Sequence, residues 1–311
     1  EWSRDKLEPS TVAFTADGIN WDEFMEYFMN NLDEFDFNHV YEPYIDMNED
    51  QIRDMIRQNV KSIADVAEVM GFVSLHKKGV ETGEWHNKSG VGFFIMPREG
   101  GVIQAHFQHS SQVDNVDCCD VRDLTKCEVD CRAQDEIAFK FFKKYVPGFE
   151  NMYLTRVCPE VRIRETRRVM GDYILTTEDI AEARRFPDTI GRSNFPGGAK
   201  HVVPGADNTT TGTVTSSAIN AVPKDGGSND IPYRCLVPLG LENFLVAGKA
   251  VSATRAAHQR FLQQTMVTGE AAGTAAALCV KKGITPRQLE DQVSELQDKL
   301  RSKGVILDGV H

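Results

Sequence analysis

The sequence predicts a chain of two fold types: a mixed α+β region over residues 1–175 and an α/β region that returns over residues 231–311. Three observations predict this. First, the apolar run Phe244-Leu245-Val246-Ala247 ends at Gly248. It is followed by a helical stretch of small residues, Gly269-Glu270-Ala271-Ala272-Gly273-Thr274-Ala275-Ala276-Ala277. A short apolar run bounded by glycine is the pattern of a strand buried in a parallel sheet. Second, helix and hairpin signals alternate through the first half of the chain, as in an α+β domain. Third, residues 176–230 separate the two regions. Within them, 186–230 is rich in Gly, Pro, Ser, Thr and Asn with little periodicity, which predicts a long loop.

The elements follow in order. Residues 21–32 have helical spacing, with Trp21, Phe24, Met25 and Phe28 on one face. Residues 48–70 predict a longer helix, because Ile52, Met55, Ile56, Val60, Ile63, Val66 and Met70 recur at three- and four-residue steps. Glu49 and Asp50 suit the positive end of its dipole. Residues 91–96 and 102–107 predict a hairpin across Pro97-Arg98-Glu99-Gly100-Gly101. Residues 124–145 predict a helix stopped by Pro147-Gly148. At the far end Thr285, Pro286 and Gln288 form a capping box for a last helix, with Leu289, Val293, Leu296 and Leu300 as its buried stripe.

Composition bounds the function. At 311 residues and 41% hydrophobic, the chain buries a sizeable core. No apolar run approaches the roughly 20 residues that span a bilayer. The net charge of −11 argues against nucleic acid and anionic membranes as partners. Cys118, Cys119, Cys127 and Cys131 cluster without the C-x₂-C spacing of zinc knuckles, so free thiols come first, a disulfide second and metal last. The triplets Asn87-Lys88-Ser89 and Asn208-Thr209-Thr210 would accept glycans in a secreted protein. A secretory location is therefore left open.

Physics reads strand, glycine and small-residue helix as a nucleotide-cofactor arrangement, because a slim helix brings its backbone and dipole close to a ligand. Tyr233-Arg234-Cys235-Leu236, Val246-Ala247-Gly248-Lys249 and Gly269-Glu270-Ala271-Ala272-Gly273 narrow that choice. So do Tyr145-Val146-Pro147-Gly148-Phe149 and the run from Ile163 to Tyr173. Together they resemble the C-terminal part of FAD-dependent oxidoreductases with the glutathione-reductase-like, GR2-type fold, and the opening Ser10-Thr11-Val12-Ala13-Phe14 fits more loosely. The resemblance implies FAD as cofactor, held by Ala247, Gly248, Lys249, Ser252, Gly269, Glu270 and Gly273. It places the N-terminus of the small-residue helix, begun by Gly269 and Gly273, at the flavin ring, where its dipole favours negative charge on reduced flavin. Lys249 stands where an arginine is more usual in the family and lacks its planar fork.

The G-x-G-x-x-G fingerprint expected of that fold does not occur in the sequence. The expectation is a C-terminal portion of a longer flavoprotein, or a subunit whose partner polypeptide carries the fingerprint. Arg164, Glu165, Arg167 and Arg168 form the densest charge cluster. If this segment is a strand, Arg164 and Thr166 face one side while Glu165 and Arg167 face the other. Arg164 and Arg167 are candidates to anchor an oxygen-rich substrate, against a structural salt-bridge network. His258 is the candidate base, with Arg255 and Arg260 as alternatives and His201 a weaker one. His106 and His109, three apart on a predicted strand, should point to opposite faces and not share a metal. The expected activity is hydride transfer between a small polar organic molecule and FAD. The alternative is a non-catalytic binding or structural module on the same scaffold.

Overall fold

The computed structural model describes residues 7–37, 47–86, 90–195, 197–201 and 216–309. The chain divides into two compact units. One is built on residues up to Glu165, the other on Thr166–Ala199 and Ser217–His311.

The first unit is a five-stranded antiparallel sheet with helices on one face. Its strands are β1 (Phe14–Asp17), β2 (Glu68–Gly71), β3 (Val91–Pro97), β4 (Ile103–Phe107) and β5 (Tyr153–Val157), in the order β2-β3-β4-β1-β5. The helices are α1 (Trp21–Asn30), α2 (Glu49–Asn59), α3 (Val73–Glu81) and α4 (Val121–Tyr145). Alternate strand residues Phe14, Ala16, Phe93, Ile95, Ala105 and Phe107 are buried with Phe24 and Phe28 of α1 and Phe141 and Phe142 of α4. Phe14 stacks on Phe107 at 4.4 Å between ring centres, and Phe142 meets Phe107 edge-on at 4.8 Å. Interlocking rings of this kind add to the burial of their large apolar area.

The predicted hairpin forms between β3 and β4, with Phe94 opposite His106. Helix α4 starts at Val121, where the Asp120 carboxylate accepts from the Arg122 N–H at 2.8 Å. Gly148 takes a φ of +84°, and a Cβ there would lie 2.4 Å from the Asn20 carbonyl oxygen. Only glycine fits that turn.

The expected helix over 48–70 is shorter. It ends at Asn59, whose side chain donates to the Met55 carbonyl at 2.8 Å, and Val60 is extended. Residues 63–65 form a single 3₁₀ turn, and Glu68–Gly71 joins the sheet beside β3. The apolar spacing ran unbroken across two elements because β2 buries Val69 and Met70 in succession.

The second unit is built round two helices, α6 (Leu262–Lys282) and α7 (Val293–Ser302). The short helix α5 (Thr177–Ala181) and the antiparallel pair β6 (Thr189–Ser193) and β9 (Asn229–Pro232) complete it. A ribbon pairs β7 (Gly197–His201) with β8 (Ser216–Ala221). The separating span 176–230 thus carries one helix, and its expected loop, 186–230, holds all or most of four strands. Its strands escaped notice because β6 and β9 are buried on both faces and show no alternation. The core is Ile190, Ile231, Tyr233, Leu236, Leu278, Leu289, Leu296 and Leu300. The Thr285 and Gln288 side chains each take the other's backbone N–H, at 3.3 and 2.9 Å. A turn and a 3₁₀ segment then precede regular helix at Val293.

The parallel sheet expected round 244–247 is not present among the described residues. Val246 makes one backbone bond, to the Leu236 carbonyl at 3.0 Å, while Phe244 is 49% exposed. A strand needs a ladder on its edges, and here no neighbouring strand supplies one among the described residues. Nor is 163–173 a strand. It is irregular chain whose one bridge, Gly171 to Pro238, lies near its end, just as Thr11 bridges Arg162 before its start, so strict alternation of its arginines does not hold. No helix among the described residues is long and apolar enough to cross a membrane. Both glycosylation triplets lie outside the described residues, as does the side chain of His201. No disulfide joins any of the seven cysteines among the described residues.

Candidate functional site

In the second unit, residues 233–262 thread back and forth beneath α6. The Ser252 N–H donates to the Cys235 carbonyl at 3.0 Å, and its own carbonyl accepts from Leu175 at 3.1 Å. Leu175 and Ala253 form a parallel bridge. At the turn into this layer Gly248 adopts a φ of +67°, the left-handed region, and its N–H donates to Thr268 Oγ at 3.0 Å. Ala247 is exposed and Lys249 half-buried. Gly248 is therefore pinned to the second turn of α6, with Thr265 3.4 Å from where its Cβ would be.

The helix begins at Leu262, well before Gly269. The Gln264 side chain accepts from the Phe261 N–H at 3.3 Å and fixes that start. This corrects the expectation that Gly269 and Gly273 open the helix: they lie in its second and third turns. The first-turn N–H groups, which lack intrahelical acceptors and carry the positive end of the dipole, belong to Leu262, Gln263 and Gln264. Leu262 is 77% exposed. Composition hid this start, since Leu-Gln-Gln-Thr-Met carries no glycine or small-residue signature. The Phe261–Gln264 spacing was the available signal.

The two long sides of α6 differ. Ala271, Ala275 and Leu278 are buried, and Val267 packs so closely on β6 that a Cβ at Gly191 would sit 2.3 Å from it. Gly269, Glu270, Gly273 and Ala277 are exposed, flanked along the helix by Met266 (72%) and Val280 (84%). A Cβ at Gly269 or Gly273 would touch nothing. Glu270 pairs with Lys303 at 3.5 Å. Lys303, Lys281 and Lys299 line a surface cavity of about 400 Å³ beside Gly273 and Ala277.

A matching family model covers residues 1–300 and is that of the FAD dependent oxidoreductases. The chain belongs to this family. FAD is accordingly its cofactor. The chain matches no curated protein and no solved structure. A flavin's electron-rich ring edge or a pyrophosphate suits the open amides at the start of α6 and the unhindered turn at Ala247-Gly248. Ser252, by contrast, faces inward. It is 1% exposed, its Cβ lies against Gly171, and its Oγ has no hydrogen-bond partner among the described residues.

The substrate candidates fall in both units of this FAD dependent oxidoreductase. His258 is buried at 5%, accepts from Arg260 Nε at Nε2 (3.2 Å) and lies 5.6 Å from the Phe261 ring. It sits four residues before α6 begins, on the segment that delivers that helix. Arg167 is exposed in the second unit. Arg164 belongs to the first, where its guanidinium donates to the Pro9 carbonyl at 2.6 Å and meets His109 Nδ1 at 3.3 Å. Glu165 is buried and accepts from the Glu8 N–H at 2.9 Å, a structural tie between chain segments.

His106 and His109 do not point to opposite faces as the spacing suggested. Strand β4 ends at Phe107, and the bend after it swings His109 to within 5.7 Å of the Phe94 ring, the cross-strand neighbour of His106. Both therefore lie on the sheet face away from the helices. Among the described residues no group of three or more His, Cys, Asp or Glu is placed to hold a metal.

Proposed function

We propose that this chain is the substrate domain and C-terminal FAD-contact portion of an oxidoreductase that moves a hydride between a small polar organic molecule and FAD. The observation that carries the reading is the pairing of left-handed Gly248 with the open N-terminus of α6 through Thr268. Ala247, Gly248, Lys249 and the first turn of α6 hold the cofactor, and Ser252 supports that layer from beneath. When bound, FAD supplies the hydride acceptor or donor. The chain's own residues bind and orient the substrate and handle its proton. Arg167, in the same unit as the cofactor residues, is the anchor for its oxygen atoms. His258 is the base, acting once Arg260 swings from its Nε2 toward the substrate.

The exposed face of α6, with Gly269 and Gly273 unhindered and Met266 and Val280 flanking them, takes the segment that carries G-x-G-x-x-G. That segment is either an N-terminal stretch or a second polypeptide. Exposed apolar side chains along one helix, here Met266 and Val280 beside bare glycines, mark an interaction surface, and glycines let a second backbone approach closely. Purification of the protein from its natural source, with flavin fluorescence and intact mass of every polypeptide, tests both points. His258→Gln should retain flavin and lose at least tenfold in flavin reduction. Undiminished reduction would remove His258 from the chemistry.

A further inference from the structure

We propose that the outer face of the five-stranded sheet in the first unit binds a small carboxylate bearing a hydroxyl or amino group next to its carboxyl. The proposal rests on the reading that the chain handles small polar molecules, and it assigns a binding site made of other residues than Arg167 and His258. The two faces of the sheet are unlike. The inner one is closed by the aromatic core. Across the outer one runs a row with one residue from each strand, Glu68, Phe94, His106, Thr15 and Arg156. Directly opposed residues on neighbouring strands hold their Cβ atoms about 5 Å apart. The row therefore sets an acid, an aromatic ring, an imidazole, a hydroxyl and a guanidinium side by side.

Arg162 joins this row from the segment bridged to Thr11, fixed by a 2.7 Å bond to Gln108 Oε1. Gln108 in turn meets His109 at 3.4 Å, and His109 meets Arg164. One polar chain thus runs from Arg162 to Arg164 beside His106. The imidazole is half-buried, and its Nδ1 is buried without a hydrogen-bond partner among the described residues. Burial first, and the Arg162 charge second, hold its pKa below the usual histidine value. The charged or titratable groups around it are Glu68, Arg156, Arg162 and His109.

A neutral imidazole beside a guanidinium suits a ligand with two adjoining groups. The guanidinium takes the carboxylate through charge-assisted hydrogen bonds. The imidazole accepts the neighbouring O–H or N–H, and Phe94 offers a flat apolar wall. Glu68, at the far end of the row, disfavours ligands of higher negative charge.

Glycolate is the simplest probe. Ring C–H signals of His106, assigned with His106→Gln, are followed by NMR during titration with glycolate, acetate and sulfate at constant ionic strength. The expected result is a saturable shift with glycolate and a rise in the His106 pKa, because the bound carboxylate offsets the Arg162 charge. Acetate should bind about tenfold more weakly. Arg162→Gln should weaken glycolate by about tenfold, or about 1.4 kcal/mol, and Arg162→Lys by less. No saturable shift, an equal response to sulfate, or an unchanged glycolate affinity in Arg162→Gln would overturn the site. FAD uptake by the same sample is read separately. A chain that takes up FAD but ignores glycolate loses this site and keeps the flavoprotein reading, and the opposite pattern does the reverse.

Discussion

The two units solve the problem of burial differently. In the first, Phe14, Phe24, Phe72, Phe93, Phe107, Phe142 and Phe149 form one aromatic core, each 2% exposed or less. In the second, the core is mainly aliphatic, and exposed large apolar side chains, which the first unit carries too at Val102, Val121, Val129, Tyr153 and Leu154, lie along α6 and residues 239–244. Leu239, Leu241, Phe244, Leu262, Met266 and Val280 are each 49% exposed or more. The first unit is closed on the helix side of its sheet. The second presents a finished inner layer and an apolar outer one, as a surface waiting for another element would.

This contrast can be broken at several points. The largest effect is expected in the aromatic core, where Phe142→Ala should cost about 3–5 kcal/mol. Urea unfolding followed by a probe in each unit should show the loss in the first unit. A loss confined to the second would contradict the division.

Asp135 comes next. It is 6% exposed, and burial pushes its carboxyl up to about 8. The folded-state value lies above the unfolded one, so the neutral form is the one that folding favours. Its contribution is complete below the ordinary carboxylate pKa and declines as pH rises toward 8, by up to about 1.4 kcal/mol per pH unit. Asp135→Asn should flatten that decline and raise stability at neutral pH. A variant with an unchanged slope would show that Asp135 is already ionised in the folded protein.

A smaller effect belongs to Gly248. Alanine there must hold a left-handed conformation at a cost of about 1–2 kcal/mol, and a modest fall in thermal midpoint should accompany weaker flavin retention. If flavin retention stays whole while the midpoint falls, Gly248 is only a turn residue. The smallest effect sharpens the contrast most. Met266→Ser, on the exposed face of α6, should change the stability of this chain by no more than about 0.5 kcal/mol. The same change should weaken capture of a fingerprint-bearing segment. A large loss of stability in the chain alone would mean the face is already used.

The sequence spoke plainly where local rules dominate. The α1 stripe of Phe24 and Phe28, the β3–β4 hairpin, the Pro147-Gly148 stop and the Thr285–Gln288 box are all short-range patterns, and each forms. It misled where partners are distant. Residues 244–247 look like a strand because Phe, Leu, Val and Ala are apolar, yet strand formation depends on neighbours that local pattern cannot specify. Residues 189–193 and 229–232 look like loop because their pairing spans some forty residues and their burial is two-sided. Near the candidate site, the turn at Gly248 was legible from its motif. The true start of α6 and the shared face of His106 and His109 were not, because each depends on where an element stops.

The most direct test of the central claim is the flavin content of the protein isolated from its natural source. The account predicts that FAD accompanies this chain together with a fingerprint-bearing segment or longer precursor, and that Gly248→Ala lowers its retention. A flavin-free chain that takes up no FAD, even when such a segment is supplied, would contradict it.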